Sequence, residues 1–287
     1  MNPTVEDTLQ KITSQLNSET ARLDAQVLLA DVLDRSRTWI AAYPEAYLTQ
    51  PQLASFKKAV ARLEAGEPLP YVLGHWEFFG LDFEITPDVL IPRPETELLV
   101  ERAIQWLKAA PERRTVADVG TGSGCIAVAL AANITDAKVV ATDISPPALQ
   151  IARLNGSRHN VVERIDFIQC DLLPSPPDPL PTESRFDLIC ANLPYIPTQT
   201  LHELPIFGRE PTLALNGGED GLDIIRRLLH IAPKWLAPHG MILLEIEASQ
   251  GMDAVSMAYD AFTKASIRLY KDLAKQNRLL EIVLIAE

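Results

Sequence analysis

The chain has 287 residues, of which 47% are hydrophobic and 22% are charged, with a formal net charge of −12. This length allows one large domain or two smaller ones, and this balance of apolar and charged residues argues against a disordered chain. The acidic charge argues against a protein that covers nucleic-acid phosphates with a broad basic face. No apolar run reaches the roughly 18 residues that a membrane helix needs, and the opening segment MNPTVEDTLQ lacks the basic and apolar parts of a signal peptide.

The three cysteines, Cys125, Cys170 and Cys190, are scattered along the chain and lack the CxxC spacing of a zinc site. The five histidines show no metal-binding spacing either. This pattern predicts buried, reduced thiols in a cytoplasmic protein and no metal. We also expect a monomer without membrane contact.

Residues 1–70 predict a small helical domain. Apolar side chains recur at helical spacing from Val5 to Leu16 and again from Leu23 to Leu33. A third helix is predicted after Thr49, and a glycine followed by two prolines ends it.

The segment 71–91 differs from the helical region, because aromatic and β-branched residues alternate there between glycine breaks. This pattern predicts a β-hairpin that links two domains. Its aromatic side chains, Trp76, Phe78 and Phe79, are interpreted as hairpin core, with contact to a protein partner as the alternative.

Residues 92–287 repeat the order strand, turn and helix, after a first helix predicted at 96–109. This alternation predicts an α/β domain with a mostly parallel sheet and helices on both faces, and the C-terminus predicts a final strand or strand pair. The Pro-rich stretch 174–184 is interpreted as an exposed loop.

A glycine-rich turn, Gly120-Thr121-Gly122-Ser123-Gly124, follows the first strand of this region and opens a helix. Glycines let a backbone approach a ligand closely, and a helix N-terminus offers free N–H groups. An ordinary tight turn explains this segment equally well on its own. Its G-x-G-x-G spacing differs from the G-x-G-x-x-G of a dinucleotide-binding loop, which would place a glycine at Cys125.

Two acidic residues at strand ends extend this interpretation. Asp143 ends the next strand, where a carboxylate is placed to accept both ribose hydroxyls of an adenosine. Asp171 follows the third strand, where it is placed to accept a hydrogen bond from an adenine amino group. A glycine loop and two acids after three successive strands are typical of class I S-adenosylmethionine-dependent methyltransferases. Acids that merely cap turns are the alternative.

The fourth strand ends in Asn192-Leu193-Pro194-Tyr195. A primary amide donates two hydrogen bonds, which Asn192 Oδ1 and the carbonyl of Leu193 are suited to accept. That arrangement aims the nitrogen lone pair at a methyl donor, while Pro194 stiffens the loop and Tyr195 is suited to stack on a planar amide or base. Because amide nitrogen is a poor nucleophile, positioning and desolvation must supply most of the catalysis. A turn-capping asparagine before a proline is the alternative.

The motif at 192–195 resembles the Asn-Pro-Pro-Tyr signature of methyltransferases that act on amino and amide nitrogens. Other segments are similar to the PrmC/HemK family, the glutamine methyltransferases of peptide chain release factors. The segments IPRPETE (91–97) and EPTLAL (210–215) are more specific to this family than the glycine loop is. The similar segments run over most of the chain and are LDAQVLLADVLDRSRTWI, PLPYVLGHWEFFGLDFEITPDVLIPRPETELLVE, VADVGTGSGCIAVALA, REPTLALNGGEDGLDIIRRLL and HGMILLEIEASQG.

The resemblance implies a helical substrate-recognition domain (1–70), a β-hairpin linker (71–91) and a Rossmann-like methyltransferase domain with a seven-stranded sheet (92–287). It implies that the substrate is the glutamine of the Gly-Gly-Gln loop in bacterial-type release factors, without stable nucleic-acid binding. S-adenosylmethionine is the implied cofactor, and the residues implied to hold it are Gly120, Thr121, Gly122, Ser123, Gly124, Asp143, Asp171, Leu172 and Asn192. The residues implied to hold the glutamine are Asn192, Leu193, Pro194 and Tyr195, with Asn192, Pro194 and Tyr195 as the catalytic ones.

One departure from the family pattern is Leu193, which stands where the family has proline. Leucine keeps the backbone carbonyl but gains an N–H that needs a partner, and we expect activity to survive. Asn-Leu-Pro-Tyr also occurs in some adenine-N6 methyltransferases of ribosomal RNA, so a nucleic-acid methyltransferase acting on adenine N6 or guanine N2 is an alternative. The helical N-terminal domain, the low isoelectric point and the IPRPETE segment favour the protein substrate.

A non-catalytic binding module that uses this fold as a scaffold is a third interpretation. The intact glycine loop, Asp143 and Asn192 argue against it.

Four charged residues allow two interpretations each. Arg93, Glu95 and Glu97 either surround a helix start at a proline or lie at the rim of the active site. Glu210 either orders a substrate loop or binds nothing.

Overall fold

The computed structural model describes residues 2–16, 20–174 and 185–285. The predicted exposed loop at 174–184 lies, apart from its first residue, outside the described residues. The chain divides into two compact units, Met1–His75 and Trp76–Glu287.

The first unit is helical. Two helices are capped by Thr4 and Thr49, whose hydroxyls accept the backbone N–H three residues on in capping boxes. Apolar faces meet in one core, where Leu28, Leu29 and Phe56 are buried. The helices are α1 Val5–Gln15, α2 Ala21–Leu33, α3 Arg37–Ala42, α4 Gln50–Glu64 and α5 Leu69–Leu73.

The three helices predicted from periodicity are present as α1, α2 and α4. Two short helices were not predicted, because the six residues of α3 and the five of α5 make less than two turns and leave little periodicity to detect.

The predicted hairpin is present as β1 His75–Phe78 and β2 Leu81–Glu84, which pair as a two-stranded sheet. It is shorter than the predicted segment, because Gly74 ends α5 in a left-handed conformation (φ 81°) and only then does the chain become extended. Phe78 is buried against Phe83, with ring centroids 6.1 Å apart, as the hairpin-core interpretation expects.

The second unit is an α/β domain. Its seven strands have the order β5-β4-β3-β6-β7-β9-β8, in which the first five are parallel and β9 and β8 are each antiparallel to the strand before them. The strands of this sheet are β3 Thr115–Val119, β4 Lys138–Asp143, β5 Ile165–Gln169, β6 Phe186–Ala191, β7 Leu236–Glu245, β8 Ala265–Lys271 and β9 Asn277–Leu284. The helices are α6 Glu97–Ala109, α7 Cys125–Asn133, α8 Pro146–Arg158, α9 Thr198–Glu203, α10 Asp223–Trp235 and α11 Gly251–Ala261.

This arrangement confirms the predicted mostly parallel seven-stranded sheet and the final strand pair. Ile189 of β6 and Ile242 of β7 share a core with α10 and α11. The alternate residues Leu188 and Met241 are buried on the other face, and α6 contacts the same two strands. Strands buried on both faces read as continuous apolar runs, which is why their pattern is short and unbroken in the sequence.

The parallel register brings strand ends together. Val119, the last residue of β3, is level with Thr142 of β4 and with Ala191 of β6. The turns after these strands therefore meet at one edge of the sheet, where ligands of open α/β sheets bind. In the described ranges of the chain, no helix is long and apolar enough to cross a membrane.

Candidate active site

A cavity of about 510 Å³ opens at this edge, within the second unit. Gly124 and Tyr195 are the predicted site residues that do not line it. Those that do are Gly120, Thr121, Gly122, Ser123, Asp143, Asp171, Leu172, Asn192, Leu193 and Pro194. The fold thus brings together turns that are widely separated in the sequence.

The glycine loop is fixed to the neighbouring strand. The backbone N–H groups of Gly120 and Thr121 both donate to the carbonyl of Thr142, at 2.9 and 2.8 Å. Gly122 is left-handed (φ 55°), and a Cβ built there would meet no atom within 4 Å. A side chain at Gly122 would therefore extend into open space that a ligand can use.

Gly124 has a different role in the same loop. It is left-handed (φ 81°), and a Cβ there would lie 3.0 Å from the Cβ of Ala152 in α8. The absence of a side chain lets α7 begin in close contact with α8.

Asp143 is held by the loop that it faces. Its Oδ2 accepts the N–H of Gly122 and its Oδ1 accepts the N–H of Ser145, each at 2.9 Å. Burial raises the pKa of Asp143, and these backbone bonds oppose that rise. Each carboxylate oxygen keeps a second lone pair, so the group can accept two further hydroxyl donors.

Asp171 and Leu172 follow β5, the strand that pairs with β4. Asp171 pairs with Arg227 of α10, with Nη2 and Oδ2 2.5 Å apart and both side chains half exposed. Leu172 is left-handed (φ 65°), and its carbonyl accepts the hydroxyl of Thr142 at 2.5 Å. The carboxylate of Asp171 therefore already has one charged partner.

Asp118 was not named among the predicted site residues, although it precedes the glycine loop. It is fully buried, and its Oδ2 accepts the Thr121 hydroxyl at 2.6 Å and the Ala127 N–H at 3.1 Å. Its Oδ1 has no hydrogen-bond partner within the described chain. Burial raises the pKa of Asp118 to about 7. The sequence signal that could have identified Asp118 is a carboxylate near the end of an apolar strand, just before the glycine loop.

Asn192 begins a chain of side-chain hydrogen bonds. Its Nδ2 donates to Thr96 Oγ1 at 3.0 Å, and the Thr96 hydroxyl donates to Glu245 Oε2 at 2.6 Å. The Tyr195 hydroxyl donates to Glu245 Oε1 at 3.4 Å. Among the residues that the structure describes, none donates to Asn192 Oδ1, although Asn192 lines the cavity.

Glu245, at the carboxyl end of β7, is only 2% exposed. Burial raises its pKa to about 7, against the hydrogen bond from Thr96 and the positive charge of Arg278. Both Thr96 and Glu245 lie in segments that resemble the family, but no motif gave them a role. Their contact depends on residues 149 positions apart, so no local pattern signals it.

Leu193, the departure from the family proline, is part of the core at 4% exposure. Its Cδ2 would lie 3.1 Å from a Cβ at Gly120, so this leucine packs directly against the glycine loop. Tyr195 is half-buried, and its carbonyl accepts Gln250 Nε2 at 2.8 Å. Burial raises the pKa of the Tyr195 phenol.

An ion pair joins two segments of the chain at the rim of the cavity. Arg93 lines the cavity, and its Nη2 lies 2.6 Å from Oε1 of Glu210. Glu210 is 7% exposed, and its Oε2 accepts the N–H of Ile91 at 3.1 Å. Glu210 therefore connects its own segment to residues 91–93 through an ion pair and a hydrogen bond. Glu95 and Glu97 do not line the cavity.

Cys125 also lines the cavity, at the start of α7. Burial raises the pKa of its thiol to about 12. Over residues 2–16, 20–174 and 185–285, no group of three or more His, Cys, Asp or Glu side chains could hold a metal ion.

The fold and the site together define a methyltransferase. A family model described as methyltransferase domain matches residues 116–204. A solved methyltransferase from Pyrococcus furiosus has a TM-score of 0.51 and 19% identity, over 82% of this chain and 98% of that one. The N-terminal domain of human METTL16 in complex with SAH has a TM-score of 0.52 and 18% identity, over 92% of this chain and 95% of that one. At these identities, the likeness concerns the fold alone.

The particular family follows from more similar sequences. A model described as PrmC N-terminal domain matches residues 7–74. The release factor glutamine methyltransferase of Moorella thermoacetica is 41% identical over 91% of this chain and 90% of its own length. That of Coxiella burnetii is 38% identical over 96% of this chain and 97% of its own. The chain belongs to the release factor glutamine methyltransferase family, which confirms the resemblance seen in the sequence.

Proposed function

We propose that this protein transfers a methyl group from S-adenosylmethionine to the side-chain amide nitrogen of the glutamine in the Gly-Gly-Gln motif of bacterial-type release factors. The observation that carries this proposal is the carboxamide of Asn192, whose nitrogen is bound to Thr96 while its oxygen is left for a donor in the cavity. A substrate amide brings two N–H donors, so this oxygen has the matching chemistry.

The residues at the glycine loop fit the cofactor. Gly122 leaves open space beside the loop, and Asp143 presents two anchored carboxylate oxygens to paired hydroxyl groups. We assign Gly120, Thr121, Ser123, Leu172 and Asp171 to the same binding surface, because they line the same cavity. When bound, the cofactor supplies an electrophilic methyl group on a positively charged sulfur.

Asn192 and Leu193 act on the other substrate. Asn192 Oδ1 and the Leu193 carbonyl accept the two amide hydrogens, and Pro194 keeps this turn rigid. Holding both hydrogens in place leaves the nitrogen lone pair facing the cofactor side of the cavity. No strong base is needed, because an amide nitrogen that has gained a methyl group is acidic and releases its proton.

Tyr195 contributes in another way in this proposal. Because it does not line the cavity, it acts through its hydrogen bond to Glu245 rather than by stacking on the substrate. Arg93 at the rim and Glu210 behind it shape the entrance for the release-factor loop.

We assign recognition of the release factor to the helical unit, residues 1–75, which contains the match to the PrmC N-terminal domain. The proposed partner is thus a protein, and the proposed setting is the cytoplasm, with the enzyme acting as a monomer.

The test is methyl transfer from labelled S-adenosylmethionine to a purified release factor, run beside total RNA. We expect label on the release factor, and its loss when the glutamine of the Gly-Gly-Gln motif is replaced by alanine. Label on RNA alone would overturn the protein substrate and assign the Asn192 pocket to a base.

A further inference from the structure

We propose that Thr96 and Glu245 are positioning residues that determine which atom of the Asn192 carboxamide faces the substrate. This inference rests on the proposed function, because it concerns how that acceptor site is oriented. Thr96 lines the cavity beside Asn192, whereas Glu245 does not line it and is only 2% exposed. Thr96 is hydrogen-bonded to both residues and so lies between them.

The argument begins with the single hydrogen of the Thr96 hydroxyl. Glu245 Oε2 lies 2.6 Å from Thr96 Oγ1, a short hydrogen bond in which the ionised carboxylate can only accept. The hydroxyl hydrogen is therefore committed to Glu245, and Thr96 Oγ1 can only accept from Asn192. The donor end of the amide, Nδ2, must then point to Thr96, as it does at 3.0 Å.

This hydrogen bond also determines what the oxygen of the Asn192 carboxamide can do. With Nδ2 fixed on Thr96, Oδ1 is the atom of Asn192 left for the substrate, which brings N–H donors. A carboxamide rotated by half a turn would present its own N–H groups to the substrate's N–H groups, and two donors repel each other. The buried carboxylate of Glu245 thus selects the productive orientation at a site that it does not touch.

Protonation of Glu245 would reverse this chain of bonds. A protonated carboxyl can donate to Thr96, whose hydrogen would then turn toward Asn192 and favour the unproductive orientation. The charged and titratable groups that act on Glu245 are Tyr195 from the turn after β6, Arg278 from β9 and Glu95 from the segment before α6. Burial and the negative charge of Glu95 raise the pKa of Glu245 to about 7, against the hydrogen bonds from Thr96 and Tyr195 and the positive charge of Arg278. The protonation of Glu245 therefore falls within the range of an ordinary assay.

The first experiment removes the Thr96 hydroxyl while keeping the side-chain shape. Thr96→Val and Thr96→Ser are assayed for methyl transfer to the release factor at saturating S-adenosylmethionine. We expect kcat of Thr96→Val to fall about 30-fold, with the cofactor Kd and the KM for release factor within about 3-fold of the unchanged protein. Thr96→Ser restores the hydroxyl and should recover kcat to within about 3-fold.

Thr115→Val is the matched control. Thr115 also donates its hydroxyl to a carboxylate, Asp187 Oδ2 at 2.7 Å, but at the amino end of β3, away from the cavity. Loss of this bond should leave kcat unchanged, since it cannot affect the orientation of Asn192.

The second experiment is a pH profile of kcat, which a merely structural role would not alter. The unchanged protein should lose activity about tenfold per pH unit below about pH 7, because its working form is the ionised carboxylate. Glu245→Gln cannot titrate, and its amide oxygen can still accept from Thr96. We expect its profile to be flat through the same range.

The outcomes separate this inference from the proposed function. If the unchanged protein does not methylate release factor, the proposed function is wrong. If it does, but Thr96→Val keeps full kcat or Glu245→Gln keeps the acidic loss of activity, the positioning role is wrong. Should Thr96→Val fail to fold by circular dichroism, the profile of Glu245→Gln decides the question alone.

Discussion

The two sides of the cavity are built in different ways. On the half that we propose for the cofactor, called the cofactor half and defined by Gly120–Gly124 with Asp118 and Asp143, the bonds that fix the site join residues 3, 9 and 21 positions apart. On the acceptor half, defined by Asn192, Thr96 and Glu245, they join residues 96 and 149 positions apart. The first half is completed by a single strand-turn-helix unit and its neighbour, whereas the second requires the segment before α6, the end of β6 and the end of β7 to come together.

This difference also concerns which atoms carry the site. The cofactor half combines backbone N–H groups of the glycine loop with two carboxylates that accept from them or from the neighbouring helix and hydroxyl, Asp118 and Asp143. The acceptor half depends on a series of side chains, each of which orients the next. We therefore expect substitutions in the acceptor half to affect turnover more than cofactor binding, and substitutions in the cofactor half to do the opposite.

The largest expected effect separates the two halves at Asn192. Asn192→Ala should lower kcat by about 10³-fold, because the acceptor for the substrate amide is lost, while the S-adenosylmethionine Kd changes by less than about 3-fold. Equilibrium titration and a turnover assay measure the two quantities. Asn133→Ala, at the exposed end of α7, is the control. A collapse of cofactor affinity in Asn192→Ala would assign Asn192 to the cofactor half.

The second prediction concerns the stability cost of the acceptor half. Because folding raises the pKa of Glu245 from an ordinary value of 4.5 to about 7, the folded protein binds the proton more tightly than the unfolded chain. This contribution to stability is full below about pH 4.5 and is lost as the pH rises to about 7. Relative to Glu245→Gln, the unchanged protein should therefore lose on the order of 3 kcal/mol of unfolding free energy between pH 4 and pH 8.

Urea unfolding of both proteins across this pH range measures the difference, and subtraction removes the similar contribution of Asp118, whose pKa is also raised by burial. Parallel curves for the two proteins would show that Glu245 titrates normally in the fold. The pH dependence proposed for activity would then lose its physical basis.

The third prediction tests the cofactor half. Asp143→Ala should weaken S-adenosylmethionine binding about 30-fold, because the carboxylate that we propose accepts two hydroxyl groups of the cofactor is removed from a partly buried position. Calorimetric titration gives the Kd. Asp136→Ala removes a carboxylate that is 62% exposed and lies outside the cavity, and it should leave the Kd unchanged. Equal affinities for Asp143→Ala and the unchanged protein would end the ribose assignment.

The smallest expected effect distinguishes two glycines of one loop. Gly122→Ala and Gly124→Ala both force a side chain into a left-handed conformation, at a cost of about 1–2 kcal/mol each. Only Gly124→Ala also pushes a Cβ against Ala152, so its unfolding free energy should fall by about 1 kcal/mol more. Denaturant unfolding without cofactor makes the comparison. Equal losses would mean that α7 and α8 adjust to the added methyl group.

The same contrast explains how much the sequence could predict. The strands, the glycine loop and Asp143 follow from apolar runs and turn residues that lie within one or two elements. The roles of Thr96 and Glu245 could not be predicted, because nothing near either residue specifies the other. Leu193 was predictable only in part. The sequence indicates a role for its backbone carbonyl, whereas its side-chain packing against Gly120 is seen only in the structure.

The sequence also could not predict the short helices or the exact extent of the hairpin. α3 and α5 are too short to show a period, and α9 and α11 lie in segments where the strongest sequence signals belong to the neighbouring strands and motifs. In the hairpin region, the alternation of aromatic residues predicts extended chain from residue 71. In the structure, residues 71–73 belong to α5, which ends at Gly74.

Cys125 gives the cavity a chemical property that is independent of methyl transfer. Burial raises the pKa of the Cys125 thiol to about 12, so the thiol is protonated at neutral pH, whereas alkylating agents and peroxides react with the ionised form. A covalent inhibitor aimed at this sulfur would therefore label it very slowly, even though the sulfur lines the wall of the pocket. Ligands for this cavity must therefore gain their affinity from shape and hydrogen bonds rather than from a covalent bond to Cys125.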